Sequence, residues 1–302
     1  MNQPAAAYPS FLIDNLQKAY PNDFEKILHG FRCTRATTLR INTLKADPMT
    51  VRNRLTADRF AFLPSSFSDT ALILPDVPES TLAQTELYQS GKIYLQSLSS
   101  QLPVLYLNPK EKTDILDMAA APGGKTSQMA ALCHNRAAIT ACEMKPIRAK
   151  RLQYNLEKLG VSCVHVMQTD SRKLPDFFAF DQILLDAPCT GSGTLGAEST
   201  LSAGFSEGLL KKCITAQKAL LHKAFAVLKT GGTLLYSTCS IFREENEEAV
   251  RHLLKNPKAE LLPLSSIMPD ADLLPNSLPG TLTICPDARY EGFFIAAIRK
   301  NP

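Results

Sequence analysis

Residues 114–126 read DILDMAAAPGGKT, and the rest of the chain is interpreted around them. An apolar run, Ile115-Leu116 with Met118 beyond it, carries an acid at each end. It then breaks into small residues, a proline and two glycines before Lys125 and Thr126. That order is the pattern of a buried parallel strand turning tightly into a helix. Ala119, Ala120 and Ala121 keep side chains out of the turn, while Gly123 and Gly124 let the backbone approach a ligand closely. A nucleotide-like molecule can therefore lie against the bend. A phosphate-cradling P-loop needs a glycine five positions before the closing Gly-Lys-Thr. Ala119 occupies that place, which argues against an NTPase.

Downstream of Lys112, strands alternate with helices in the manner of a parallel, doubly wound sheet. Strands are expected at Asp114–Met118, Ala137–Cys142, Cys163–Met167, Asp181–Leu185 and Thr233–Ser237, with helices near 125–134, 146–159 and 207–228. Right-handed crossovers would put the helices on both faces. Ligands of such sheets bind outside the carboxyl ends of the strands. The residues found there are the glycine bend, Glu143, Asp170, Asp186-Ala187-Pro188-Cys189 and Thr238-Cys239-Ser240. Glu143, about twenty residues past the bend, suits the hydroxyls of a ribose.

Upstream, Phe11-Leu12-Ile13, Leu16, Phe24, Ile27 and Leu28 have helical spacing and predict one or two short helices. TTLRINTL at 37–44 alternates as a half-buried strand, and 71–74 is a second strand candidate. Residues 1–80 are read as a small α/β lobe and 81–302 as the catalytic domain. The bridge at 88–107, with its turn at Ser90-Gly91 and its Pro103, is expected to cover an edge of the core.

The 302 residues are 45% apolar, enough for a substantial core and unlike a disordered or fibrous chain. Neither a signal peptide nor an apolar run of bilayer length stands out, so a soluble cytoplasmic protein is expected. The net charge of +4 permits a nucleic-acid partner without demanding one. Arg32, Arg35, Arg40, Lys45, Arg52, Arg54 and Arg59 could form an RNA-facing patch or an ordinary mixed-charge surface. The eight cysteines include no Cys-x-x-Cys pair and no clustered histidine, so no metal site is expected and most read as reduced, buried small hydrophobes. Cys189 and Cys239 differ, since both follow strand ends on the edge that carries the glycine bend.

LDMAAAPGGKT at 116–126, DAPCTGSG at 186–193 and YSTCSIFREENE at 236–247 resemble the Sun/RsmB/RsmF family of S-adenosylmethionine-dependent RNA cytosine-5 methyltransferases. The resemblance extends through LRINTLK at 39–45, GKIYLQSLSSQLPVL at 91–105, NLEKLG at 155–160 and EGFFIAAI at 291–298. It implies a class I, Rossmann-like methyltransferase fold. Its sheet would be mixed, mostly parallel and seven-stranded, with helices on both faces and the small lobe in front. S-adenosylmethionine would be held by Ala119, Ala120, Ala121, Pro122, Gly123, Gly124 and Lys125, with Glu143 on the ribose, Asp170 near the adenine and Asp186 beside the donor. Cys239 would be the nucleophile, Cys189 would assist product release, and Asp186 would contact the cytosine ring. Lys125 could tune the thiols or simply cap the bend.

The chemistry accounts for these residue types. Carbon 5 of cytosine is a poor nucleophile until a thiolate adds at carbon 6, and among side chains only cysteine keeps a useful fraction of anion at neutral pH. A structured RNA with an accessible cytidine is expected as partner, ribosomal first and transfer RNA second, acted on by a monomer. Two departures from the family stand out. Thr194–Gly204 reads TLGAESTLSAG where the family supplies arginines and an aromatic, and Glu291 replaces the more usual Asp. The competing readings are a methyltransferase of DNA or a small molecule, with Cys189 attacking, and an inactive RNA-binding assembly factor on the same fold.

Overall fold

A computed structural model of the chain describes residues 8–197, 204–264, 267 and 269–302. Two helices, α1 (Ser10–Ala19) and α2 (Phe24–Arg32), precede β1 (Thr37–Ile41), α3 (Pro48–Ala57), β2 (Leu63–Pro64), β3 (Ala71–Leu74), α4 (Glu79–Ala83), α5 (Glu86–Gln89) and β4 (Ile93–Leu95). There follow α6 (Leu98–Leu107), β5 (Asp114–Asp117), α7 (Gly124–Leu132), β6 (Ala138–Cys142), α8 (Pro146–Lys158), β7 (Val164–Met167), β8 (Phe180–Asp186) and α9 (Glu207–Ala226). The chain ends through β9 (Leu228–Thr238), α10 (Glu247–Leu253), β10 (Ala259–Leu262), β11 (Leu273–Leu274), β12 (Leu282–Ile284) and β13 (Phe293–Lys300).

The large sheet runs β7-β6-β5-β8-β9 in parallel, and β13 then pairs antiparallel with β9. It is the mostly parallel, mixed sheet expected, but it holds nine strands rather than seven. The place beyond β13 is shared by two short strands, β12 against Phe293–Ile295 and β10 against its last four residues, and β11 adds to the rim. A two-residue strand such as β11 has no periodicity to read. After β5 the chain winds outward to β7, returns to β8 and winds the other way, so the switch point of the sheet lies between the ends of β5 and β8.

Alternate residues of the central strands feed two cores, as a strand covered on both faces requires. Leu116, Ile183, Leu185 and Leu234 meet Leu220, Leu221 and Phe225 of α9 and Val250 of α10. Ile115, Ile139, Leu184 and Leu235 meet Leu98 and Leu102 of α6 and Met129 of α7. Each fully buried side chain of this size contributes about 1.5–3 kcal/mol. Helix starts are fixed locally: Ser206 accepts from the Leu209 N–H at the head of α9, and Ser97 from the Ser100 N–H at the head of α6.

The front sheet, β2-β3-β1-β4, takes its fourth strand from Ile93–Leu95, past residue 80. The bridge therefore does not cover an edge of the core. It completes the front sheet and then sends α6 across a face of the large one. Nor is β1 half-buried. Leu39 and Ile41 pack with Val51, Leu55 and Leu72, while Thr38, Arg40 and Asn42 are buried on the opposite side, where the lobe docks. There Arg40 donates to the Gln96 amide oxygen at 3.1 Å and to Ser127 Oγ at 2.8 Å, and Asn42 Nδ2 donates to the Leu159 carbonyl at 2.8 Å. Burial lowers the Arg40 guanidinium to about 10. The polar half of the alternation, which reads as solvent-facing, is in fact the interface. Helices α1 and α2 leave the lobe altogether and pack Leu12, Leu16, Ile27 and Phe31 on Leu195, Phe205, Ile241 and Phe242.

Candidate active site

A cleft of about 390 Å³ opens at the switch point, between the carboxyl edge of the large sheet and the front lobe. Its walls include Tyr94, Gln96 and Ser97 from the lobe side, Ala119–Pro122, Gly124 and Lys125 from the bend, and Asp117, Asp186, Cys239, Glu291 and Phe293 from strand ends. The bend is pinned by hydrogen bonds from the Ala120 N–H to the Cys142 carbonyl and from the Gly123 N–H to the Ala120 carbonyl. Gly123 starts α7 at φ +109°, a conformation that side chains disfavour. The Ala121-Pro122 peptide is cis.

Three charges meet on the floor. Lys125 Nζ lies 2.8 Å from Asp186 Oδ2 and donates to Ser100 Oγ at 2.6 Å, while Ser237 donates to Asp186 Oδ1 at 2.8 Å. Lys125 is no solvent-facing cap. Burial works against its charge, but Asp186 and then Cys239 and Asp117 outweigh it and raise its pKa. Asp117, 1% exposed, accepts from Thr126 Oγ1 at 2.7 Å. Burial lifts its carboxyl to about 6, against that hydrogen bond, with the Asp186 charge adding to the rise.

The two thiols meet beside this floor, with Cys189 Sγ 3.2 Å from Cys239 Sγ. Cys189 is pushed well above the usual thiol range, first by its hydrogen bond with Cys239 and then by burial. Two loops set this distance, and they are closed on one another. The Gly193 N–H donates to the Cys239 carbonyl at 3.0 Å and the Gly292 N–H to the Gly193 carbonyl at 2.8 Å. A Cβ on Gly193 would lie 2.0 Å from the Gly292 carbonyl oxygen. Below them Glu245, fully buried, accepts from the Thr190 N–H at 2.9 Å, Thr190 Oγ1 at 2.5 Å, Ser240 Oγ at 2.5 Å and Gln217 Nε2 at 3.0 Å. One carboxylate thus clamps the residue that follows each cysteine. Asn246 bonds the Ser240 carbonyl at 2.9 Å and receives Thr238 Oγ1 at 2.5 Å.

The cleft brings together Ala119, Ala120, Ala121, Pro122, Gly124, Lys125, Asp186 and Cys239, with Cys189 against Cys239. Gly123, Glu143 and Asp170 stand outside its walls. Glu143 ends β6 buried, accepts from the Lys145 N–H at 2.9 Å and pairs with Arg148 at 3.2 Å. Arg148 also donates to the Ala121 carbonyl at 2.7 Å. Asp170 is gripped by Arg172 at 2.6 Å. Of the arginines of the first lobe, Arg40 is interior, Arg52 and Arg54 pair with Asp69 and Asp58, Arg35 donates to the Thr194, Leu195 and Tyr290 carbonyls, and Arg32 and Arg59 are exposed. Of the loop 194–204, residues 198–203 lie outside the described residues. Cys133, Cys142 and Cys285 are fully buried, the other five cysteines are mostly buried, and all eight are free.

Asp117 and Glu245 were missed as site residues. Asp117 had a signal, as the acid that closes the first strand. Glu245 sits in an REENE run whose local reading is a solvated helix start, so nothing local marks it as interior.

A family model described as 16S rRNA methyltransferase RsmB/F matches residues 104–299, and another, the RsmF/B-like methyltransferase ferredoxin-like domain, matches residues 8–78. The chain belongs to the RsmB/F methyltransferase family. The resemblance carried by the motifs is thereby established. Ribosomal RNA small subunit methyltransferase F of Shewanella woodyi is 38% identical over 273 residues, covering 87% of this chain and 57% of that protein. Its counterpart from Salmonella heidelberg is 34% identical over 315 residues, covering 99% and 65%. This RsmB/F chain therefore spans about three fifths of the length of these relatives. A solved methyltransferase homologue from Pyrococcus horikoshii is 34% identical, with a TM-score of 0.86 over 97% of this chain and 96% of its own. NSun6 from the same organism, solved with SFG, shares the fold at 24% identity and a TM-score of 0.86. Among the described residues no helix is long and apolar enough to cross a membrane.

Proposed function

We propose that this RsmB/F chain transfers a methyl group from S-adenosylmethionine to carbon 5 of a cytidine in structured RNA, through a covalent adduct at carbon 6. The observation that carries the reading is the pair of thiols 3.2 Å apart beside a floor of Lys125 and Asp186. The named substrate of the relatives, small-subunit ribosomal RNA, is the first candidate, and transfer RNA the second.

The residues of the cleft suit the donor. Small side chains at Ala119–Ala121 leave a wall of backbone and acids stand at the ends of β5 and β8, while Glu143, beyond these walls, has used only two of its carboxylate acceptor sites. The Ala119–Lys125 bend, Glu143, Asp170 and Asp186 would hold S-adenosylmethionine, which supplies an electrophilic methyl on its sulfonium.

The two thiols divide the work because their surroundings differ. Cys189 is held protonated, first by its hydrogen bond with Cys239 and then by burial, while Cys239 is the sulfur that lines the cleft. Cys239 adds as thiolate to carbon 6, and the displaced π electrons make carbon 5 nucleophilic. Asp186, sharing a proton with the ring, assists the shift. Once carbon 5 carries the methyl group, its proton leaves to a base near Cys189, the carbon 5–carbon 6 double bond re-forms and the Cys239 thiolate departs. Single replacements test the assignment. With Cys189→Ser, an RNA adduct resistant to denaturing electrophoresis accumulates, and with Cys239→Ser none forms. The opposite pattern reverses the roles, and adducts with neither, in a variant that still binds RNA and donor, would sink the covalent route.

A further inference from the structure

Beside the cleft, on the large sheet's side, lies a strongly basic stretch. Between residues 144 and 160, Lys145, Arg148, Lys150, Arg151 and Lys158 face a single acid, Glu157, which leaves +4, as much as the whole chain carries. Helix α8 fills most of this span. It buries Ala149, Leu152 and Leu156 and turns the opposite side outward. Ile147, Arg151, Tyr154 and Lys158 follow one another at spacings of four, three and four, so they form one stripe. Ile147 is 84% exposed and Tyr154 64%. Only Arg148 of the five cations has an acid partner among the described residues.

The stripe runs into the front lobe. Lys158 Nζ lies 3.8 Å from the centre of the Tyr88 ring, and Lys45 stands close by against Gly160. Burial, and then the Lys45 ammonium, hold the Lys158 amine below the usual lysine range. Two cations kept together without an acid between them mark a place for an anion. The helix is also bolted to the cleft wall: Arg148 donates to the Ala121 carbonyl, and Asn155 Nδ2 to the Pro122 carbonyl at 2.7 Å.

We infer that the outer face of α8, continued by Lys45 and Tyr88, is the track on which the RNA backbone lies beside the methyl-transfer cleft. Lys145, Lys150, Arg151, Lys158 and Lys45 neutralise phosphates, and the exposed Tyr154 ring offers a platform for an unstacked base. The inference rests on the proposed RNA substrate, and it locates the contact away from the arginines of the first lobe.

The test is a fluorescence-anisotropy titration of the full chain with a labelled RNA hairpin carrying a cytidine loop, at several potassium chloride concentrations. Lys150→Glu with Arg151→Glu lowers affinity more than tenfold and flattens the log–log salt dependence by about 1.5, since each lost phosphate contact removes roughly 0.7–0.9. Tyr154→Ala lowers affinity with the slope unchanged, because stacking releases no counterions. Calorimetric binding of S-adenosylmethionine and the thermal midpoint stay at parent values in both variants, which separates lost contact from misfolding. The control is Lys218→Glu with Lys258→Glu, at a basic pocket lined by α9 and the segment before β10. An equal loss there, unchanged RNA binding in the α8 variants, or binding of the parent to phosphatidylserine vesicles but not to RNA overturns the inference. Failure of the catalytic reading looks different: the parent binds RNA through α8 and methylates nothing.

Discussion

Replacing Glu245 with alanine asks whether one carboxylate holds the two cysteine loops in register. Its oxygens accept four donors at 2.5–3.0 Å, two from Thr190 beside Cys189, one from Ser240 beside Cys239 and one from Gln217 of α9. Ser240, Gln217 and Glu245 are fully buried. Hydrogen bonds to a charged group contribute about 1.5–3 kcal/mol each, but four on one group are not additive. Alanine also strands the donors away from water. A net loss of about 3–5 kcal/mol follows, a large share of the roughly 5–15 kcal/mol that holds a folded chain together. Glutamine keeps one acceptor oxygen and lets the hydroxyls turn, so it costs about half as much. The chain has no tryptophan, so urea unfolding is best followed by far-ultraviolet circular dichroism. Methyl transfer falls in the same order, alanine below glutamine below parent, as the thiols lose their spacing. An alanine variant within about 1 kcal/mol of the parent, the scatter of ordinary surface changes, would show that the loops hold themselves and would refute the clamp.

Three other outcomes are expected. Asp117 titrates near 6 in the folded chain against 3.8 unfolded, so its proton stabilises the fold fully below about pH 4 and that gain is lost as pH rises through about 6. Asp117→Asn should therefore gain about 3 kcal/mol on the parent between pH 4 and pH 7 in paired denaturation curves, and a constant difference contradicts the shift. Arg40→Lys leaves a single ammonium to serve partners that a guanidinium fork reaches together, and it costs about 2–4 kcal/mol by urea unfolding; a loss under 1 kcal/mol would mean that the lobe docks without the fork. Gly193→Ala forces the Cys189 loop away from Gly292, which costs about 2–3 kcal/mol in thermal unfolding and slows any oxidant-driven Cys189–Cys239 cross-link; unchanged cross-linking would show that the close approach does not set the sulfur spacing.

How far the amino-acid order reaches is visible in particular elements. Ala71–Leu74 was legible as a strand to the residue, and four of the five central strands of the large sheet to within about a residue at each end, because each is an apolar run bounded by turn residues; β9 begins at Leu228, five residues before the apolar run at Thr233, since Lys229–Gly232 reads as a turn. The parallel order expected from the sequence is enough to bring Lys125, Asp186, Cys189 and Cys239 to one edge. Short strands such as β11 and β4 were not legible, since two or three residues carry no period.

What the chain determines by itself is local: apolar periodicity, the small-residue bend, the cysteine motifs, and through them the family and the edge of the sheet where chemistry occurs. Tertiary structure alone decided which polar groups face inward. The Thr38–Arg40–Asn42 side of β1 became an interface, Glu245 became a clamp, Lys125 became the partner of Asp186, and the positive charge was left outward on α8. A polar side chain has no local preference for a buried partner over water. That choice depends on which donors and acceptors distant segments deliver, and only the folded chain delivers them.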